Sequence, residues 1–166
     1  NGTFQIGFVL TASVRLLPGF LACAPDRFPR AKFDVRTGLT DDLLSRVATH
    51  RLDGAVVTGG LRDALPDGLR ATTLTTERLV YCLPADAAAD TIGQGMAARP
   101  FVHFTPDTGI GRLIATYLSR RGLRPRNMIV LDTVEAVAEC VRAGVGFAIL
   151  PEPDVQRYAD PSVQLR

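Results

Sequence analysis

Apolar residues in this chain recur at helical spacing, then as short continuous runs, and the two patterns alternate from end to end. The clearest example spans 132–152, DTVEAVAECVRAGVGFAILPE. Val134, Val137, Ala138 and Val141 fall at i, i+3, i+4 and i+7, the spacing of a helix with one buried face. Asp132 or Thr133 can cap its start, and Gly144 supplies the left-handed residue that ends a helix. The apolar run 145–150 follows at once and is too short for another helix, so it predicts a strand buried on both faces, closed by Pro151.

The same alternation organises the rest. Residues 4–10 (FQIGFVL) predict a buried strand, and Thr11-Ala12-Ser13 the turn into a helix over 14–28, with Leu16, Leu17, Phe20, Leu21, Ala24 and Phe28 as its apolar stripe. Pro18 is expected early in that helix, where a missing N–H is tolerable. Residues 32–37 read as a second strand, Thr40-Asp41-Asp42 as a capped helix start with Leu43, Leu44, Val47 and Ala48 facing inward, and 52–57 as a third strand. This is βαβαβ, the unit of a parallel sheet with right-handed crossovers. After a Gly/Pro/Asp-rich loop over 58–68 come two extended runs, 69–74 and 78–83, which fit either a strand pair or a single strand passing between lobes. Residues 84–100 predict at most a short helix. A strand over 101–104, a helix carrying Ile110, Leu113, Ile114, Tyr117 and Leu118 and ended by Arg120-Arg121-Gly122, and a strand over 127–131 then repeat the logic of the first half.

Two such halves imply an α/β fold of two Rossmann-like lobes with mixed, mainly parallel sheets and a cleft between them. Ligands of such sheets sit beyond the carboxyl ends of strands, where helix N-termini converge. Composition fits a soluble globular protein: 166 residues, 46% hydrophobic and 22% charged, with a net charge of +2 that recommends neither nucleic acid nor an anionic membrane. The basic residues are arginines except for Lys32. No apolar run approaches the roughly 20 residues that cross a bilayer. Cys23, Cys82 and Cys140 are odd in number and far apart, which argues for a reducing compartment and for buried, inert thiols. Neither a metal-ligand cluster nor a cofactor motif is present in the sequence pattern. The start at Asn1 and the end within a strand-like run, 162–166, suggest an excised domain.

Three segments carry a resemblance. IGFVLTASVRLLPGFLACAPDRFP, VRTGLTDDLLSRVATHRLDGAVV and DTVEAVAECVRAGVGFAILPE are similar, in order and spacing, to the effector-binding domain of LysR-type transcriptional regulators. Residues 84–100 match that family poorly, and its final strand and helix are expected to be missing. The resemblance implies a type 2 periplasmic-binding-protein-like fold with lobe I formed by 1–76 plus 151–166 and lobe II by 77–150. It implies a small effector held between the lobes, a homodimer or homotetramer, a cytoplasmic location, and DNA binding only through a helix-turn-helix domain outside this chain. Thr11, Ser13, Thr40 and, more weakly, Thr58 would line the site from lobe I, with Phe104 and Thr105 facing them.

Converging helix N-termini and hydroxyls favour an anion, so a small carboxylate lying against Phe104 is the expected ligand, although Asp132 would repel one that came close. Each residue also has a plainer reading. Thr40 is an ordinary helix cap, Thr108-Gly109-Ile110-Gly111 an ordinary loop-to-helix junction, and His103 a satisfied core histidine. Ser13 and Ser45 lack the setting of a nucleophile. A periplasmic-type solute-binding protein and a small α/β enzyme are the competing classes. Surplus apolar positions on the first helix predict an antiparallel dimer formed by helices 14–28 and 134–143.

Overall fold

The computed structural model describes residues 2–59, 65–87, 92–158 and 163–165, which fall into two compact units, Asn1–Thr73 and Leu74–Arg166. The first unit is β1 (Gly2–Phe8), α1 (Leu10–Arg27), β2 (Ala31–Thr37), α2 (Thr40–Ala48) and β3 (Gly54–Val56). Its strands are parallel in the order β2-β1-β3. One crossover therefore runs to each side of β1, and right-handed connections place α1 and α2 on opposite faces of the sheet. Phe8, Val9, Ala12, Leu43 and Leu52 form the buried core between them. Gly7 is bare for a reason: a Cβ there would lie 2.7 Å from Leu43 and 2.9 Å from Leu52, the residues with which α2 and the following turn cover β1.

Two expectations shift here. The strand ends at Phe8, and α1 begins at Leu10, so Thr11 and Ser13 lie inside the first helical turn rather than before it. Pro18 consequently sits two turns into the helix, joined by Pro25. Each removes a donor to the carbonyl four residues earlier, Val14 and Leu21, and both of those residues are exposed, so water can replace the lost partner.

The second unit contains β4 (Leu79–Pro84), α3 (Ile92–Ala98), β5 (Phe101–Phe104), α4 (Gly109–Arg120), β6 (Met128–Leu131), α5 (Val134–Arg142), β7 (Ala148–Pro151), α6 (Glu152–Tyr158) and β8 (Val163–Leu165). β4 runs antiparallel between β7 and β8, while β5 and β6 are parallel. The two ladders meet at a parallel bridge between Phe101 and Phe147, with Val102 N–H donating to Phe147 O (2.8 Å) and Phe147 N–H to Pro100 O (3.1 Å). Gly146 permits that approach, since any side chain there would overlap the Pro100 carbonyl. Phe101, Phe147, Ile114, Val137, Val141 and Leu150 form a fully buried core, with Tyr81 and Phe101 both against the Phe147 ring at 5.2 Å.

The 132–152 stretch folds as its pattern implied. Thr133 caps α5 by accepting from Ala136 N–H (3.2 Å), and Gly144 at φ 75° turns the chain into the buried β7. Of the two extended runs, 78–83 lies in a strand and 69–74 does not. Glu152 pairs with Arg78 through two guanidinium nitrogens at 2.8–3.0 Å, and β8 pairs with β4. Parts of the runs 58–68, 84–100 and 162–166 lie outside the described residues.

His103 is buried at 4% exposure, its ring 5.3 Å from Phe101, and its Nδ1 has no hydrogen-bond partner among the described residues. It is a core histidine, as read from sequence, but not a satisfied one. Burial disfavours its charged form and lowers its pKa from the ordinary 6.5. The unfolded chain then binds a proton that the folded chain refuses, so stability is fully present above 6.5 and is lost as pH falls from there towards the depressed folded pKa. Thermal melts between neutral and mildly acidic pH should show the melting temperature of the wild type dropping, and His103→Leu should lose less over the same window.

A second expectation concerns α4. A methyl on Gly111 would collide with the backbone carbonyl of Thr105, whereas one on Gly19, in α1, meets nothing within 4 Å. Gly111→Ala should destabilise the chain by about 3 kcal/mol, while Gly19→Ala should be neutral or stabilise it by up to about 1 kcal/mol through helix propensity. Urea unfolding of the two variants gives the comparison.

Candidate functional site

In the first unit the carboxyl edge of the sheet is drawn together by backbone bonds on both sides of β1. Gly38 N–H donates to Phe8 O (3.1 Å) and Val9 N–H to Val56 O (3.0 Å). The starts of α1 and α2 and the exit of β3 therefore lie at one edge. Four of the sequence candidates, Thr11, Ser13, Thr40 and Thr58, come from these segments.

Thr40 does not cap α2. That place belongs to Leu39, whose backbone is extended (φ −79°, ψ 153°) and whose side chain offers no acceptor. One residue further in, Thr40 is 1% exposed and its Oγ1 donates to Thr58 O at 3.4 Å. This bond links the α2 start to the end of β3, and it leaves the lone pairs of Oγ1 as acceptors. Thr58 is followed by Gly59 at φ 134°, a backbone conformation open to glycine. Thr11 and Ser13 are half-buried in the first turn of α1, where Ser13 Oγ donates to Leu10 O (2.7 Å).

Neither helix has a side-chain cap, so the amide N–H groups of both first turns lack the usual side-chain acceptor. The two differ in charge. α2 carries Asp41 and Asp42 in its first turn, Asp42 being paired with Arg46 at 2.9 Å, whereas α1 has no acid there. The α1 start is thus the better place for an incoming anion. Sequence reasoning picked out the hydroxyls here but missed the backbone donors of Leu10 and Thr11, because it ended β1 two residues too late.

In the second unit, Thr105 follows β5, donating its N–H to Leu131 O (2.8 Å) while its carbonyl accepts from Thr108 Oγ1 (2.9 Å). Its own side chain is half-buried. Thr108 caps α4 by accepting from Gly111 N–H (2.9 Å), so the Thr108–Gly111 segment is a capped junction. Phe104 is 5% exposed and packs into the core of the second unit. Asp107, Asp132 and Glu135 stand near the starts of α4 and α5 and make this edge acidic.

Elsewhere the chain offers little chemistry. No group of three His, Cys, Asp or Glu among the described residues could hold a metal ion, and no helix among them is long and apolar enough to cross a membrane. Cys82 is buried, with its thiol pushed up to about 12 by desolvation, but Cys23 is exposed, against the expectation that all three thiols are buried. A shallow cavity of about 380 Å³ lies between α3 and the end of β4, over Leu83 and Phe147 and beside the Arg99–Asp86 ion pair (2.8 Å). None of the sequence candidates lines it.

HTH-type transcriptional regulator CzcR of Bacillus subtilis (strain 168) is 28% identical over 159 residues, covering 96% of this chain and 52% of its own length. The chain thus spans about half the length of the curated relatives it matches. The fold is that of the effector-binding domain of QuiR in complex with shikimate (TM-score 0.77, 16% identity, 99% of this chain and 79% of that one). It is equally that of the BenM effector-binding domain with its effector benzoate (TM-score 0.76, 18% identity, 99% and 76%). The model of the LysR substrate binding domain matches residues 1–166, and the chain belongs to that family.

Proposed function

We propose that this chain is the effector-sensing half of a DNA-binding regulator of transcription, with its helix-turn-helix in the other half of the full protein, acting in the cytoplasm. The observation that carries the ligand side is the carboxyl edge of the first unit, where two uncapped helix starts and the Thr40–Thr58 bond meet. The relatives called HTH-type transcriptional regulators support the DNA side. Shikimate and benzoate, bound by QuiR and BenM, are both carboxylates, which supports an anionic effector. The family match does not favour a solute-binding protein or an enzyme.

In this reading Thr11 and Ser13 and the α1 amides hold the carboxylate, because that helix start has no acid of its own. Thr40 and Thr58 frame the site. A hydrogen bond to a charged ligand contributes roughly 1.5–3 kcal/mol. Thr11→Val and Ser13→Ala should each weaken carboxylate binding by about ten-fold. Thr40→Val should weaken it as far if the buried hydroxyl touches the ligand, and should also cost about 1 kcal/mol of stability through the lost bond to Thr58. Calorimetry with benzoate, shikimate and neutral analogues measures this. Unchanged affinity in folded Thr11 and Ser13 variants, or a preference for the neutral analogues, would remove the anion site.

Self-association is proposed through α1 alone. α5 buries Val134, Val137, Ala138 and Val141 in its own unit and turns Glu135, Glu139 and Arg142 outward, so it has no apolar face to share. On α1, exposed Leu10, Val14 and Leu21 fall within an arc of about 40°. Light scattering should give a dimer or larger for the wild type and a lower mass for Leu21→Glu. A wild-type monomer at tens of micromolar would refute the interface.

A further inference from the structure

The connection from α4 to β6 reads Arg120-Arg121-Gly122-Leu123-Arg124-Pro125-Arg126. All four arginines are exposed, and none has an ion pair among the described residues. Three other arginines of this unit are ion-paired: Arg78 with Glu152, Arg99 with Asp86 and Arg142 with Glu139. The loop lies at the amino edge of the parallel β5–β6 pair, opposite the end where Asp107, Asp132 and Glu135 collect. The unit is therefore electrically polarised, and a net charge of +2 for the whole chain conceals four arginines without an ion pair within seven residues, of which Arg121 lies over the Tyr117 ring at 5.5 Å.

Arg120 and Arg121 have a local reason to be there, at the negative end of the α4 dipole. Arg124 and Arg126 have none. They flank Pro125, which fixes its own φ and holds the preceding Arg124 extended, so less entropy is lost when they dock. Leu123 N–H to Leu118 O (2.9 Å) and Gly122 at φ 65° hold the preceding turn.

We propose that this arginine loop is a contact for the phosphodiester backbone of DNA, supplementary to the helix-turn-helix of the full protein. Guanidinium groups match phosphate oxygens bidentately, and duplex DNA is the densest polyanion such a regulator meets. Contacts of this kind position without reading sequence. An acidic protein surface is the competing occupant.

The test uses the 166-residue chain and a short fluorescent duplex of scrambled sequence, followed by anisotropy as salt is raised from about 50 to about 200 mM. With four phosphate contacts the affinity should fall by about 150-fold across that range, and with two, in Arg124→Ser/Arg126→Ser, by about 12-fold. Arg124→Lys/Arg126→Lys keeps the charge and should keep the steeper dependence, which separates lost charge from lost folding; circular dichroism melts of all three should coincide. Absence of duplex binding at the lowest salt, an equal salt slope in the serine variant, or tighter binding to polyglutamate than to the duplex at equal salt would overturn the proposal.

Discussion

The hydrogen bonds on either side of the end of β1, Gly38 to Phe8 and Val9 to Val56, are the constraint on which the first unit depends. A parallel strand can be extended only by crossovers, so each strand end must hand over to a helix within a few residues. Holding three strand ends in register therefore gathers two helix starts at the same place. The sheet order, with β1 central, sends the two helices to opposite faces and leaves the edge between them. Gly7 and the burial of Leu43 belong to the same constraint, since α2 seats against β1 where no side chain intervenes.

The second unit solves a harder problem, joining an antiparallel ladder to a parallel one. The bridge at Phe147 does this with two backbone bonds and a glycine at position 146 that admits the Pro100 carbonyl. Phe147 then serves both sides, its ring meeting Tyr81 from β4 and Phe101 from β5. With every strand residue of β5 and β7 buried, the helices must cover both faces, which is why α5 has no apolar surface left over.

Charge follows the backbone. Acids gather at the starts of α2, α4 and α5 or just before them, and arginines at the ends of α1, α2, α4 and α5, as the peptide dipoles favour. The α1 start stands out because it lacks an acid, and the loop after α4 because its arginines continue beyond the helix end. Both departures are local, and neither shows in the overall charge.

Much of this was legible in the residues. Helical spacing located α1, α2, α4 and α5, and Thr133 and Gly144 marked the ends of α5, because caps and left-handed turns are local chemistry read within four residues. The order of segments sufficed for the family. Other features depend on partners far along the chain. Nothing near Thr40 reveals that its hydroxyl turns to Thr58, since cap and first-turn positions differ by a single residue and only the backbone of Leu39 decides between them. A four-residue strand buried on both faces has no alternation, so FVHF could not show that Phe104 belongs to the core. Nor could the pattern of 78–83 show that β4 runs antiparallel and takes up β8; strand direction is set by which neighbours supply the unpaired N–H and C=O groups. The sequence by itself determined the elements, their order and the family. The tertiary structure decided which hydroxyls remain at the carboxyl edge, because burial and hydrogen-bond choice are settled between residues that only the fold brings together.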